Sequence, residues 1–70
     1  MAQMEQRARK RRVVAAKIKV NDEVNWDGYW WICTEVEGEV LIHLTLQRGP
    51  HEFKLTSFQT RVFQIIRREN

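Results

Sequence analysis

Seventy residues, 43% of them hydrophobic, form one small domain; a chain of this size buries roughly 60% of the surface it exposes when unfolded. The lone Cys33 excludes a disulfide framework and suits a reducing compartment. No stretch reaches the roughly 20 apolar residues of a membrane helix, and the basic N-terminus lacks the apolar segment and cleavage site of a signal peptide, so a soluble, cytoplasmic chain is expected.

The overall charge of +3 is unevenly placed. Residues 1–20 carry Arg7, Arg9, Lys10, Arg11, Arg12, Lys17 and Lys19 against Glu5 alone, a net +6. Residues 21–70 hold five basic and eight acidic side chains, a net −3. A block of like charge repels itself and stays solvated until a polyanion neutralises it. Nucleic acid is the commonest such partner, because phosphate contacts release counterions without any reading of sequence. Arg7-Ala8-Arg9-Lys10-Arg11-Arg12 also has the composition of a nuclear localisation signal, a reading tied to a eukaryotic source.

In chain order, residues 1–16 come first. Ala2 to Ala16 contains good helix formers but no apolar stripe, which predicts a frayed basic helix or a flexible arm. From Ala16 the pattern turns to period two, with Ala16, Ile18 and Val20 inward and Lys17 and Lys19 outward, predicting a first strand. Asp27-Gly28 stands between Val24-Asn25-Trp26 and Tyr29-Trp30-Trp31-Ile32 and predicts a two-residue hairpin with positive φ at both central residues.

Glu37-Gly38 ends that second strand. Val40, Ile42, Leu44 and Leu46 then alternate with Leu41, His43, Thr45 and Gln47. Arg48-Gly49-Pro50 precedes a strand with Phe53 and Leu55 on one face, and Ser57-Phe58-Gln59-Thr60 turns into Arg61–Ile66. Short strands at this spacing predict an all-β fold. Fifty residues are too few for a seven-stranded sandwich, so a small five-stranded barrel over residues 17–67 is expected, with an arm at 1–16 and a tail at 68–70.

On the second strand both faces are apolar: Trp30, Ile32 and Val36 on one, Tyr29, Trp31 and Cys33 on the other. With Trp30 grouped among aliphatics, Trp31 is the ring expected to face outward. Tyr29, Trp31 and His43 then form a candidate platform for unpaired bases, each stacked base being worth roughly 1–3 kcal/mol. Tryptophan in a barrel this small is otherwise core material. The candidate nucleic-acid contacts are therefore Arg7, Arg9, Lys10, Arg11, Arg12, Lys17, Lys19, Tyr29 and Trp31, with Arg61, Arg67 and Arg68 extending the basic surface if the last strand lies beside the first.

Catalysis finds little support. His43 and His51 can approach across a hairpin, but no cysteine or carboxylate completes a metal site. No carboxylate has the apolar flanks that raise a pKa for acid–base work. Gly28, Gly38 and Gly49 are single turn glycines and not a phosphate loop. No cofactor is implied.

The run Val20-Asn21-Asp22-Glu23-Val24-Asn25-Trp26-Asp27-Gly28-Tyr29-Trp30-Trp31-Ile32 resembles the start of small SH3-like β-barrel modules found beside phage Mu-type transposases and in other mobile-element proteins. Glu37-Gly38-Glu39-Val40 fits the second turn of that pattern and Phe53-Lys54-Leu55 the approach to the last, so the resemblance spans residues 18–66. It implies a five-stranded SH3-like barrel, a phage or mobile-element setting, DNA favoured over RNA, and no catalytic residue in this chain. Two other roles suit the same barrel. One is a protein-interaction or self-associating adaptor, and the other an Sm-like ring that binds RNA.

Overall fold

The computed structural model describes residues 7–69. Its six strands are β1 (Arg7–Val14), β2 (Glu23–Trp26), β3 (Tyr29–Gly38), β4 (Leu41–Arg48), β5 (His51–Phe58) and β6 (Val62–Glu69), with one 3-10 turn at Ala15–Lys17 between β1 and β2. They form a single antiparallel sheet in the order β1-β6-β2-β3-β4-β5. The fold is all-β as expected. Six strands form where five were expected, and the sheet is open, with β1 and β5 as its two edges.

The N-terminal segment departs most from expectation. Arg7–Val14 is neither a helix nor a free arm: it pairs with β6 in unbroken register from Arg7↔Glu69 to Val14↔Val62. An apolar partner explains this. Val13 sits opposite Phe63 and packs against the core, and Ala15 is fully buried. Helix propensity is a weak prior that such tertiary burial overrides. Residues 1–6 of the expected arm lie outside the described residues, as does Asn70 of the expected tail, while Arg68 and Glu69 belong to β6. The strand expected from Ala16 does not form. The chain turns through Ala15–Lys17, Ile18 is buried, and Ala16 and Val20 are exposed.

The turns obey local chemistry. Trp26 and Tyr29 flank Asp27 (φ 55°) and Gly28 (φ 84°), the two positive-φ residues of a type I′ hairpin. Arg48 and His51 flank Gly49-Pro50, where Gly49 at φ 60° takes the first central place of a type II′ turn. Gly38, at φ 105°, is the tightest point. A Cβ there would lie 2.0 Å from the Leu41 carbonyl oxygen.

One face of the sheet carries the core, drawn from Val24 of β2, Cys33 of β3, Ile42, Leu44 and Leu46 of β4, and Phe63 and Ile65 of β6, and closed by Ala15 and Ile18. Between Cys33 and Glu35 the β3–β4 register slips, leaving Thr34 as an extra residue in a β-bulge. The bulge reverses the alternation beyond it, so Trp31, Cys33 and Val36 all face the core. Grouping Val36 with Trp30 assumed an unbroken strand, and it assigned the faces the wrong way round. Trp31 is half-buried against the core, whereas Ile32 is 48% exposed on the opposite face.

Candidate nucleic-acid interface

Five of the twelve cations occupy six consecutive positions, Arg7–Arg12, on one edge strand. Strand geometry sends neighbouring side chains to opposite faces. Arg9 and Arg11 therefore share the face of Val13, Phe63 and Ile65, while Lys10 and Arg12 lie on the outer face. Arg9, Lys10 and Arg12 are exposed and Arg11 is half-buried. For Arg7 the structure fixes the backbone pairing with Glu69.

Pairing with β6 orders this strand, so its charges stand at fixed places. Along a strand, alternate residues on one face are spaced by about 6.8 Å. Lys17 and Lys19 are exposed on the segment that follows, outside any strand. That segment is held by Asp22, whose carboxylate accepts the Lys19 backbone N–H at 2.8 Å, and the Lys17 carbonyl accepts Arg67 Nη2 at 2.9 Å.

The last strand does lie beside the first, but both of its arginines are already engaged. Arg67 is bound to Asp22 and Arg68 pairs with Glu23. The Arg61 guanidinium sits 5.0 Å from the Trp26 ring centre and 5.3 Å from that of Phe63. Arg9, Lys10 and Arg12 of β1, with Lys17 and Lys19 after it, are exposed cations at this end of the sheet.

One row of outer-face residues crosses all six strands: Lys10, Ile66, Glu23, Ile32, Gln47 and Glu52. It begins with a cation on one edge and ends with a carboxylate on the other. Trp30 and Asn25 lie opposite each other on the same face, with Ile32 further along.

The expected aromatic platform is not assembled. Tyr29 is half exposed, with the Arg48 guanidinium 4.1 Å from its ring centre. Trp31 meets Phe53 edge-on at 4.8 Å, and its indole N–H donates to the Trp26 carbonyl at 3.2 Å. His43 is exposed and within 2.9 Å of the Thr56 hydroxyl. Tyr29 and Trp31 thus share the core-side face, and His43 is on the other. Trp30, absent from the expected set, is the tryptophan of the outer face. Only the bulge at Thr34 distinguishes it from Trp31, and no glycine or proline marks that bulge.

The two histidines do not meet. His43 is opposite Thr56 and His51 opposite Arg48, at different places on the ladder. Among the described residues no group of three or more His, Cys, Asp or Glu is placed to hold a metal ion, and no helix is long and apolar enough to cross a membrane. Cys33 is fully buried. Burial pushes its thiol pKa above the usual value, a backbone hydrogen bond at Glu35 acts against this, and the Asp22 charge adds to the rise. No known family model, curated protein sequence or solved structure gives a significant match to this chain.

Proposed function

We propose that the chain is a non-enzymatic nucleic-acid-binding accessory protein that holds phosphates along strand β1. The observation that carries this reading is the fixing of Arg9, Lys10, Arg11 and Arg12 on an open edge strand, on both of its faces. Positive charge concentrated in this way attracts a polyanion, whose phosphates neutralise it. Lys17 and Lys19 extend the basic surface beyond the end of β1. The acidic balance of residues 21–70 favours a contact confined to this edge over a duplex wrapped around the whole sheet.

Strands β2 to β6 are read as the SH3-like barrel, with β6 returning to β2 and β1 added outside it as a sixth strand. The resemblance to mobile-element modules favours DNA over RNA. The test is binding to labelled single-stranded and duplex DNA and RNA over a salt series, for the wild type and for a variant with Arg9, Lys10 and Arg12 all changed to Gln. Loss of affinity and of salt dependence in the variant supports the reading; equal binding by both proteins rejects it. An adaptor role is favoured by a separate observation, the exposed pair Leu41 and Phe58 beside the other edge.

A further inference from the structure

The two edges of the sheet are built differently. β1 bears like charges along its length, which opposes pairing between two copies there. β5 runs in unbroken register with β4 from Arg48↔His51 to Leu41↔Phe58 and contains one Glu and one Lys. The Gly49-Pro50 turn fixes which way its backbone points. Flanking a two-residue turn, Arg48 and His51 form a hydrogen-bonded pair, and hydrogen-bonded pairs alternate along an antiparallel ladder. Glu52, Lys54 and Thr56 therefore direct their N–H and C=O groups away from β4, to the open side, as does the Phe58 N–H, while the Phe58 carbonyl accepts the Arg61 N–H at 3.1 Å.

Exposed apolar groups gather at the far end of the same edge. Phe58 is 68% exposed, Leu41 directly opposite it is 43% exposed, and neighbouring Val40 is 66% exposed. Its carbonyl ties the three together by accepting the Gln59 N–H at 3.1 Å. A regular, nearly neutral edge flanked by apolar side chains is a template for another strand.

We infer that β5 is a self-association surface, pairing antiparallel with β5 of a second copy about a two-fold axis at Thr56. The strand is complementary to itself in this register. Lys54 falls opposite Phe58 of the second copy, and the symmetry repeats the contact, so each exposed ring is covered by a lysine stem and ammonium. Leu55 falls opposite Ser57 on the core-side face, and no two like charges are opposed. Thr56 meets Thr56 through two backbone hydrogen bonds, both from groups the β4 ladder leaves unused. The product is one twelve-stranded sheet with the two basic β1 edges at its ends. The inference does not rest on nucleic-acid binding.

Light scattering coupled to gel filtration, from micromolar to millimolar protein and without nucleic acid, is the test. The wild type is expected at twice the monomer mass, falling to the monomer on dilution. Thr56→Pro removes a backbone donor that β4 does not use, and is expected to leave a folded monomer. Phe58→Ser changes an exposed side chain and is expected to weaken the dimer about tenfold or more. A wild type monomeric throughout overturns the inference, as does a dimer that both variants leave intact. Should Thr56→Pro unfold, the Phe58→Ser result decides.

Discussion

Asp22 and Arg67, 45 residues apart, form a two-pronged ion pair: Arg67 Nε donates to Oδ1 at 2.9 Å and Nη2 to Oδ2 at 2.7 Å. Asp22 is 3% exposed, and its Oδ2 also accepts the Lys19 backbone N–H. The pair ties the turn before β2 to the end of β6, closing the corner from which the basic segment Lys17–Lys19 projects.

Removing one partner of a largely buried ion pair costs about 3 kcal/mol. Asp22→Ala is expected to lose about that much, and in a domain this small each kcal/mol lowers Tm by roughly 4–8 °C. Glu23→Ala also breaks an ion pair, but Arg68 is largely exposed and the loss should stay under about 1 kcal/mol. Thermal melts of both variants check this. Equal shifts would mean that Asp22 contributes no more than a surface charge.

Gly38 and Gly28 both have positive φ, yet they differ in space. A Cβ at Gly28 meets nothing within 4 Å, whereas one at Gly38 collides with the Leu41 carbonyl. Gly28→Ala is expected to cost about 1 kcal/mol, from conformation alone. Gly38→Ala must move backbone and is expected to cost about 3 kcal/mol or more. Urea titration of the two variants orders them; a reversed order would mean the β3–β4 turn yields easily.

The hairpin at Asp27-Gly28 was legible in the sequence because its turn type demands those residues. The core strand β4 was legible because Ile42, Leu44 and Leu46 alternate without interruption, although Val40 belongs to the turn and lies exposed. Strand β1 was not legible, since its pattern shows only charge and its apolar partners, Phe63 and Ile65, lie some fifty residues along the chain. The outward assignment of Trp31 failed for a different reason. It depended on parity, and one inserted residue reverses parity. The clustering of basic residues is plain in the sequence, but its placement on two faces of an edge strand follows only from the pairing with β6.

Trp31 is tied by an edge-on ring contact and an indole hydrogen bond, whereas Trp30 lies half-buried on the outer face opposite Asn25. Trp31→Phe is expected to cost about 1–2 kcal/mol, and Trp30→Phe less than about 1 kcal/mol. Chemical denaturation followed by circular dichroism compares them. A larger loss at Trp30 would put the core on the wrong side of β3.

Cys33 is buried, and burial holds its thiol protonated. A folded-state pKa above that of the free thiol contributes stability that is intact below the unfolded value of 9.0 and erodes as pH rises past it. In native protein near neutral pH the thiol is expected to react with a disulfide reagent only as fast as the domain opens, and at once in denaturant. Rapid native labelling would show that β3 opens locally at the bulge.

Salt dependence of binding tests whether β1 carries the phosphate contacts. Each phosphate neutralised on duplex DNA contributes about −0.9 to the slope of log K against log salt. Replacing Arg9, Lys10 and Arg12 with Gln is expected to reduce that slope by about 2–3 and to lower affinity at every salt concentration, with the β-sheet circular dichroism unchanged. A folded variant with the slope and affinity of the wild type would contradict the account and take the phosphate contacts away from β1.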